Sequence, residues 1–141
     1  MKKILIVIAD YYEDISSSLL KSAKKNLNDF SLKIIRVPGV FEIPITISKN
    51  IKKYDAFIAL GCVIKGETPH FDFISSASTN AIMDLSINNK KPIGNGIITC
   101  LNMRQAKARK KKGAEAARAV ISILSQKWKC ISIHKIILGL L

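Results

Sequence analysis

Ala56-Phe57-Ile58-Ala59-Leu60-Gly61-Cys62-Val63-Ile64, running directly into Lys65-Gly66-Glu67-Thr68-Pro69-His70, is the stretch that decides the fold. An uncharged apolar run of this length, ended by a glycine and a proline, reads as a strand buried on both faces. From His70 to Ile87 the apolar residues return at helical spacing. Working outward, three more short apolar runs appear, Ile4–Ala9, Leu32–Val37 and Ile93–Thr99. Helical segments are predicted between and after them. The first opens at Glu13-Asp14, whose charges suit a helix N-terminus, and its buried stripe is Ile15, Leu19, Leu20, Ala23 and Leu27, closed by a turn at Asn28-Asp29. The others cover Glu42–Ile51, His70–Ile87, Met103–Lys110 and Ala114–Lys129. Alternating strands and helices predict an α/β domain with a central parallel sheet of about four strands and helices on both faces.

A chain of 141 residues is one domain by length, so residues 1–141 are read as a single unit. Cys62, Cys100 and Cys130 are far apart and show no zinc, iron–sulfur or disulfide spacing, which fits a reducing cytoplasm. The apolar run after Met1-Lys2-Lys3 is too short for a signal-peptide core or a membrane span, so neither export nor a membrane partner is expected. The apolar tail Cys130–Leu141 needs burial against the body or another subunit. A formal net charge of +13 favours anionic partners, yet most lysines fall in polar helical stretches and read as solvated surface. Only Arg109-Lys110-Lys111-Lys112 is concentrated enough to suggest a site.

In an open parallel sheet, ligands bind beyond the carboxyl ends of the strands. The loops there are Asp10–Glu13, Pro38–Glu42, Lys65–His70 and Cys100–Asn102. Gly66-Glu67-Thr68 before a helix offers N–H groups and a hydroxyl to a phosphate, although it lacks the nucleotide-loop signature and by itself reads more readily as an ordinary helix cap. His70 stands at the start of that helix, where an imidazole can exchange protons near neutral pH, or simply cap or sit on the surface. His134, in the tail without companions, reads as structural. Phe41-Glu42 places an aromatic face beside an acceptor, suited to a planar ring with a polyhydroxyl chain; the alternative is a core phenylalanine and a helix-terminal charge. Tyr11 could stack on the same ring.

Taken in order, Val37-Pro38-Gly39-Val40-Phe41-Glu42-Ile43-Pro44, Leu60–Asp72, Gly96-Ile97-Ile98-Thr99, Gln105-Ala106, Arg109 and Lys112–Ala117 resemble the lumazine synthase family. The resemblance spans roughly residues 3–125 and leaves the tail 130–141 outside it. It implies a flavodoxin-like three-layer fold, and pentamers, or shells of pentamers, with active sites between subunits. It also implies a cytoplasmic enzyme with no metal, flavin or nucleotide cofactor, and riboflavin synthase as a further partner. The implied reaction joins 5-amino-6-(D-ribitylamino)uracil to 3,4-dihydroxy-2-butanone 4-phosphate. It yields 6,7-dimethyl-8-ribityllumazine, phosphate and water, the penultimate step to riboflavin.

By position, the resemblance makes Tyr11 the ring-stacking aromatic and Val40, Phe41 and Glu42 the pyrimidine and ribityl site, with Cys62, Val63 and Ile64 beside the ring. Glu67 and Thr68 fall on the phosphate loop, His70 on the proton-transfer histidine, and Arg109, assisted by Lys112, on the phosphate-holding cation reached across the interface. This sequence departs from the family in three ways. Asn95 stands where many members place a phenylalanine over the neighbour's ring; Tyr12 and Lys65 replace a common asparagine and arginine; and the Arg109–Lys112 connection is shortened. The shortening favours an isolated pentamer. Two other readings compete: a flavin- or lumazine-binding protein without turnover, and a nucleic-acid module using the basic run. The latter has no recognised motif and few aromatics beside its lysines, so no nucleic-acid partner is expected.

Overall fold

A computed structural model describes residues 1–126. Lys129, the tail Cys130–Leu141 and His134 lie outside the described residues. Four parallel strands, β1 (Lys3–Ala9), β2 (Ser31–Val37), β3 (Ala56–Ile64) and β4 (Ile93–Cys100), form one sheet in the order β2-β1-β3-β4. β1 aligns Ile4 with Leu32 on one side and with Ala56 on the other. Ile4 to Ala9 and Ala56 to Leu60 are fully or almost fully buried, which is why these runs carry no polar alternation.

Two apolar layers cover the sheet. On one face α1 (Glu13–Lys24), α4 (Met103–Ala108) and α5 (Lys112–Leu124) pack Ile15, Leu19, Ala23, Ala106, Ala116, Ala117 and Val120 onto Ile4, Ile6, Ile8, Ile58 and Leu60. On the other, a single 3₁₀ turn at Val40–Glu42, α2 (Ile43–Asn50) and α3 (His70–Asn89) contribute Val40, Ile43, Ile47 and Ile82 against Leu5, Val7, Phe57 and Ala59. This is a three-layer, flavodoxin-like arrangement, as the resemblance implied. The stripe predicted for the first helix is buried at every position, although α1 ends at Lys24 and Leu27 is buried from the turn beyond it.

Several boundaries are corrected. The helix predicted from Glu42 begins at Ile43, because Val40–Glu42 tightens into a 3₁₀ turn and Pro44, lacking an N–H, fits only the first turn. The helix predicted over Met103–Lys110 stops at Ala108, and α5 starts at Lys112 rather than Ala114. Gly113 therefore lies inside α5, where a Cβ would stand 2.1 Å from the Leu19 carbonyl oxygen, so α1 and α5 approach this closely only because that Cβ is missing. The contact is locked by the Ser22 hydroxyl, which accepts the Ala114 N–H at 2.7 Å.

The strand order places the ligand end. The chain runs from β1 outward to β2, then crosses back to β3 on the other side of β1. Loops leaving β1 and β3 thus diverge to opposite faces, and the crevice between their carboxyl ends is the natural binding position of such a sheet.

Candidate active site

A cavity of about 590 Å³ occupies that crevice, a size that suits a small metabolite. Tyr11 and Tyr12, leaving β1, form one wall. Their rings meet edge to face, with centroids 4.9 Å apart, and Tyr11 remains 75% exposed as a free aromatic face. Opposite is the 3₁₀ turn after β2. Gly61 explains how that turn reaches the strand: a Cβ there would stand 2.9 Å from Val40 Cγ2 and 3.1 Å from Ala9 Cβ. With Val40 seated, Phe41 turns outward and is 66% exposed, which removes the reading of Phe41 as a core residue. Glu42 is partly buried and lines the cavity, and it is also the residue that precedes α2, so its two readings coexist.

Cys62, Val63 and Ile64 at the end of β3 make the floor. The Cys62 thiol is pushed up to about 12 by burial, then by the nearby Cys100 charge and a hydrogen bond with Cys100. A thiol so disfavoured as thiolate is a wall, not a nucleophile. Burial, with Tyr11 and Cys62 adding to it, also raises the Tyr12 hydroxyl above its usual range.

The fourth side is the β3–α3 loop, held at its base by the Lys65 N–H on the Cys100 carbonyl oxygen at 2.9 Å. Gly66, Thr68 and His70 line the cavity here. The helix-cap reading of Thr68 is corrected: the residue preceding α3 is Pro69, and no side chain caps the helix. The Asp72 and Phe73 N–H groups are taken by the Pro69 carbonyl oxygen. Thr68 is exposed and so available to a ligand, beside a helix whose positive end favours an anion.

Nine of the residues singled out from the sequence converge on this one cavity: Tyr11, Val40, Phe41, Glu42, Cys62, Val63, Ile64, Thr68 and His70. Four do not. Glu67 is exposed on the loop but does not line the space. Asn95 sits on edge strand β4 opposite Ala59, three residues short of Cys62, hence about 10 Å back along the sheet. Its side chain accepts the Ile97 N–H at 3.1 Å. Arg109 is exposed at the carboxyl end of β4 and donates to the Thr99 carbonyl oxygen at 3.0 Å. Lys112 pairs with Glu115 at 3.3 Å within α5.

The sequence reading did not single out Phe71 and Ile74, which also line the cavity. The signal was present: once His70 begins a helix, positions 71 and 74 fall on the same side of its first turn. Among the described residues no group of three His, Cys, Asp or Glu side chains could hold a metal ion, and no helix is long and apolar enough to cross a membrane.

Comparison with known proteins gives the family. Residues 1–127 match the family described as 6,7-dimethyl-8-ribityllumazine synthase. A protein of that name from Rhodopseudomonas palustris (strain BisA53) is 44% identical over 134 residues, covering 85% of this chain and 82% of its own. Another of that name, from Agrobacterium fabrum, is 43% identical over 140 residues, covering 89% and 95%.

Proposed function

The chain belongs to the 6,7-dimethyl-8-ribityllumazine synthase family, and from that premise we propose that the cavity between the ends of β1 and β3 is where it performs the family's condensation. The protein is a transferase of riboflavin biosynthesis. It joins 5-amino-6-(D-ribitylamino)uracil to 3,4-dihydroxy-2-butanone 4-phosphate, giving 6,7-dimethyl-8-ribityllumazine, phosphate and water. The observation that carries the site assignment is the convergence of an exposed aromatic, an acceptor carboxylate, a histidine and an anion-favouring helix end on one crevice.

In this reading the pyrimidine lies between Tyr11 and the Val40-Phe41 wall, over the apolar floor of Cys62, Val63 and Ile64. Glu42 accepts hydrogen bonds from the ribityl hydroxyls. The phosphate of the second substrate rests at Thr68 and the α3 N-terminus, with Glu67 shaping the loop. The amine attacks the ketone and water leaves as an imine forms. Phosphate then departs, leaving an enol-type intermediate, and ring closure releases water. His70 moves protons in these steps, and holding both substrates in register supplies much of the acceleration. Arg109 stabilises the departing phosphate, assisted by Lys112.

Arg109, Lys112 and Asn95 do not line the cavity of their own chain, and we assign them to the cavity of a neighbouring subunit. A homo-oligomer, in our reading an isolated pentamer with sites at the interfaces, provides that neighbour. Support comes from the 3₁₀ turn and from α2 and α3, where Phe41, Ile45, Phe73, Met83 and Ile87 are each exposed, apolar side chains that a neighbouring subunit would cover. Beside Phe41 a second hollow of about 530 Å³ is lined by Ile45, Ala77 and Ala81, with the buried Ser78 hydroxyl lacking a partner among the described residues. Residues 1–141 act as one domain in the cytoplasm, and riboflavin synthase, which consumes the product, is a further partner.

The test is lumazine absorbance and fluorescence on mixing the purified protein with both substrates, against His70→Ala, Arg109→Ala and the uncatalysed reaction. Acceleration lost in Arg109→Ala supports the reading; a folded oligomer that binds ribityllumazine without accelerating its formation would make it a binding protein instead.

A further inference from the structure

The loop that carries Tyr11 and Tyr12 is tied to the outer edge of the sheet by a single ion pair, Arg36 Nη1 to Asp10 Oδ1 at 2.9 Å. Two side-chain ion pairs occur among the described residues; the other lies within α5, so this is the one that joins separate elements. Asp10 follows β1 directly, and Arg36 is the penultimate residue of edge strand β2. Arg36 stands beside Ile8, and Asp10, two residues further along, leaves the same side of the sheet. The Asp10 N–H also donates to the Val37 carbonyl oxygen at 3.0 Å. Past the two tyrosines, the Ser16 N–H donates to the Tyr12 carbonyl oxygen at 2.9 Å, and the buried Ser16 hydroxyl donates to the Ala9 carbonyl oxygen. Among the described residues, the side-chain hydrogen bonds that hold this loop therefore come from Ser16 on one side and Arg36 on the other.

Neither Asp10 nor Arg36 lines the cavity, yet each adjoins a segment that does: Tyr11-Tyr12 after Asp10, and Gly39–Glu42 after Arg36. We propose that Arg36 and Asp10 are positioning residues that set the spacing between the Tyr11 and Phe41 walls, and so the affinity for the planar ring substrate. The inference rests on the cavity reading above. With the two side chains 52% and 28% exposed, the pair adds little to global stability, so its effect is local: it fixes where a wall stands.

The experiment is steady-state kinetics with both substrates, beside ribityllumazine affinity read by fluorescence. Arg36→Ala and Asp10→Ala are expected to raise KM for the ribitylaminouracil, and Kd for ribityllumazine, about 3- to 5-fold, with kcat and KM for the sugar phosphate within about twofold. Arg36→Lys keeps the positive charge and stays nearer the wild type; the exchange Asp10→Arg with Arg36→Asp recovers most of the loss. Salt of about 0.5 M raises the wild-type KM for the ring substrate toward the variants' value, and moves that of Arg36→Ala less. Unchanged KM and Kd in both alanine variants, or a swap that recovers nothing, overturns the proposal. A wild type that binds ribityllumazine but makes none overturns the catalytic reading instead, and the Kd ratios still decide the positioning role.

Discussion

Gly113 of α5 rests on the Leu19 carbonyl oxygen of α1 so closely that a methyl group in place of its hydrogen would stand 2.1 Å from that oxygen. Leu19 and Gly113 are distant in sequence, and their contact sets how α5 lies across the first layer.

Gly113→Ala must push α5 off α1 or distort it, and should lower unfolding stability by about 2–3 kcal/mol. Gly66→Ala is the control, because a Cβ at Gly66 meets nothing within 4 Å, and should change stability by less than about 0.5 kcal/mol. Urea denaturation of the two variants checks the contrast; equal midpoints would mean that the α1–α5 contact is not tight.

Cys62 should resist alkylation. With its pKa raised from 9.0 to about 12, the thiolate fraction at pH 8 is about a thousandfold lower than in the unfolded chain. Peptide mapping after iodoacetamide treatment, with and without denaturant, reads this directly. Rapid labelling of the native protein at Cys62 would contradict the buried floor.

Stability should fall on the alkaline side. The Cys62 thiol, and the Tyr12 hydroxyl in the same direction, hold their protons longer in the folded chain than in the unfolded one. Between about pH 9 and 12 the unfolded state therefore binds fewer protons and gains on the folded state. The Cys62 contribution is complete below pH 9 and is lost as pH rises through about 12, while that of Tyr12 begins to fall only above its ordinary value of 10.0. The melting temperature of wild type against Cys62→Ala, followed over that range, should show a shallower alkaline decline in the variant.

Arg109→Ala and His70→Ala should each lower kcat/KM about a hundredfold, the first by losing charge stabilisation of the leaving phosphate, the second by losing proton transfer. If Arg109 serves a neighbour's cavity, refolding the two inactive variants together should restore part of the activity, since some interfaces then pair an intact His70 with an intact Arg109. Mixtures that stay as inactive as their components would place both residues in one chain's site.

The strands were legible because burial on both faces leaves an unbroken apolar run, and β3 occurs over Ala56–Ile64 as its composition predicts. Boundaries at the helix starts were less so. Thr68 looks like a cap, but the local geometry gives that position to Pro69, and Glu42 ends a 3₁₀ turn that hydrophobic periodicity does not distinguish from an α-helix.

By itself, the sequence determined the layers of this protein, the end of the sheet where its cavity opens, and, through motifs spread over most of the chain, its family. Each of these is written in local periodicity or in residue identity. Only the tertiary structure decided that nine of the singled-out residues share one crevice while Glu67, Asn95, Arg109 and Lys112 stand apart, and that Asp10 meets Arg36. Such relations depend on strand order and on helix-to-sheet distances fixed by contacts such as Gly61 against Val40 and Gly113 against Leu19, between residues far apart along the chain.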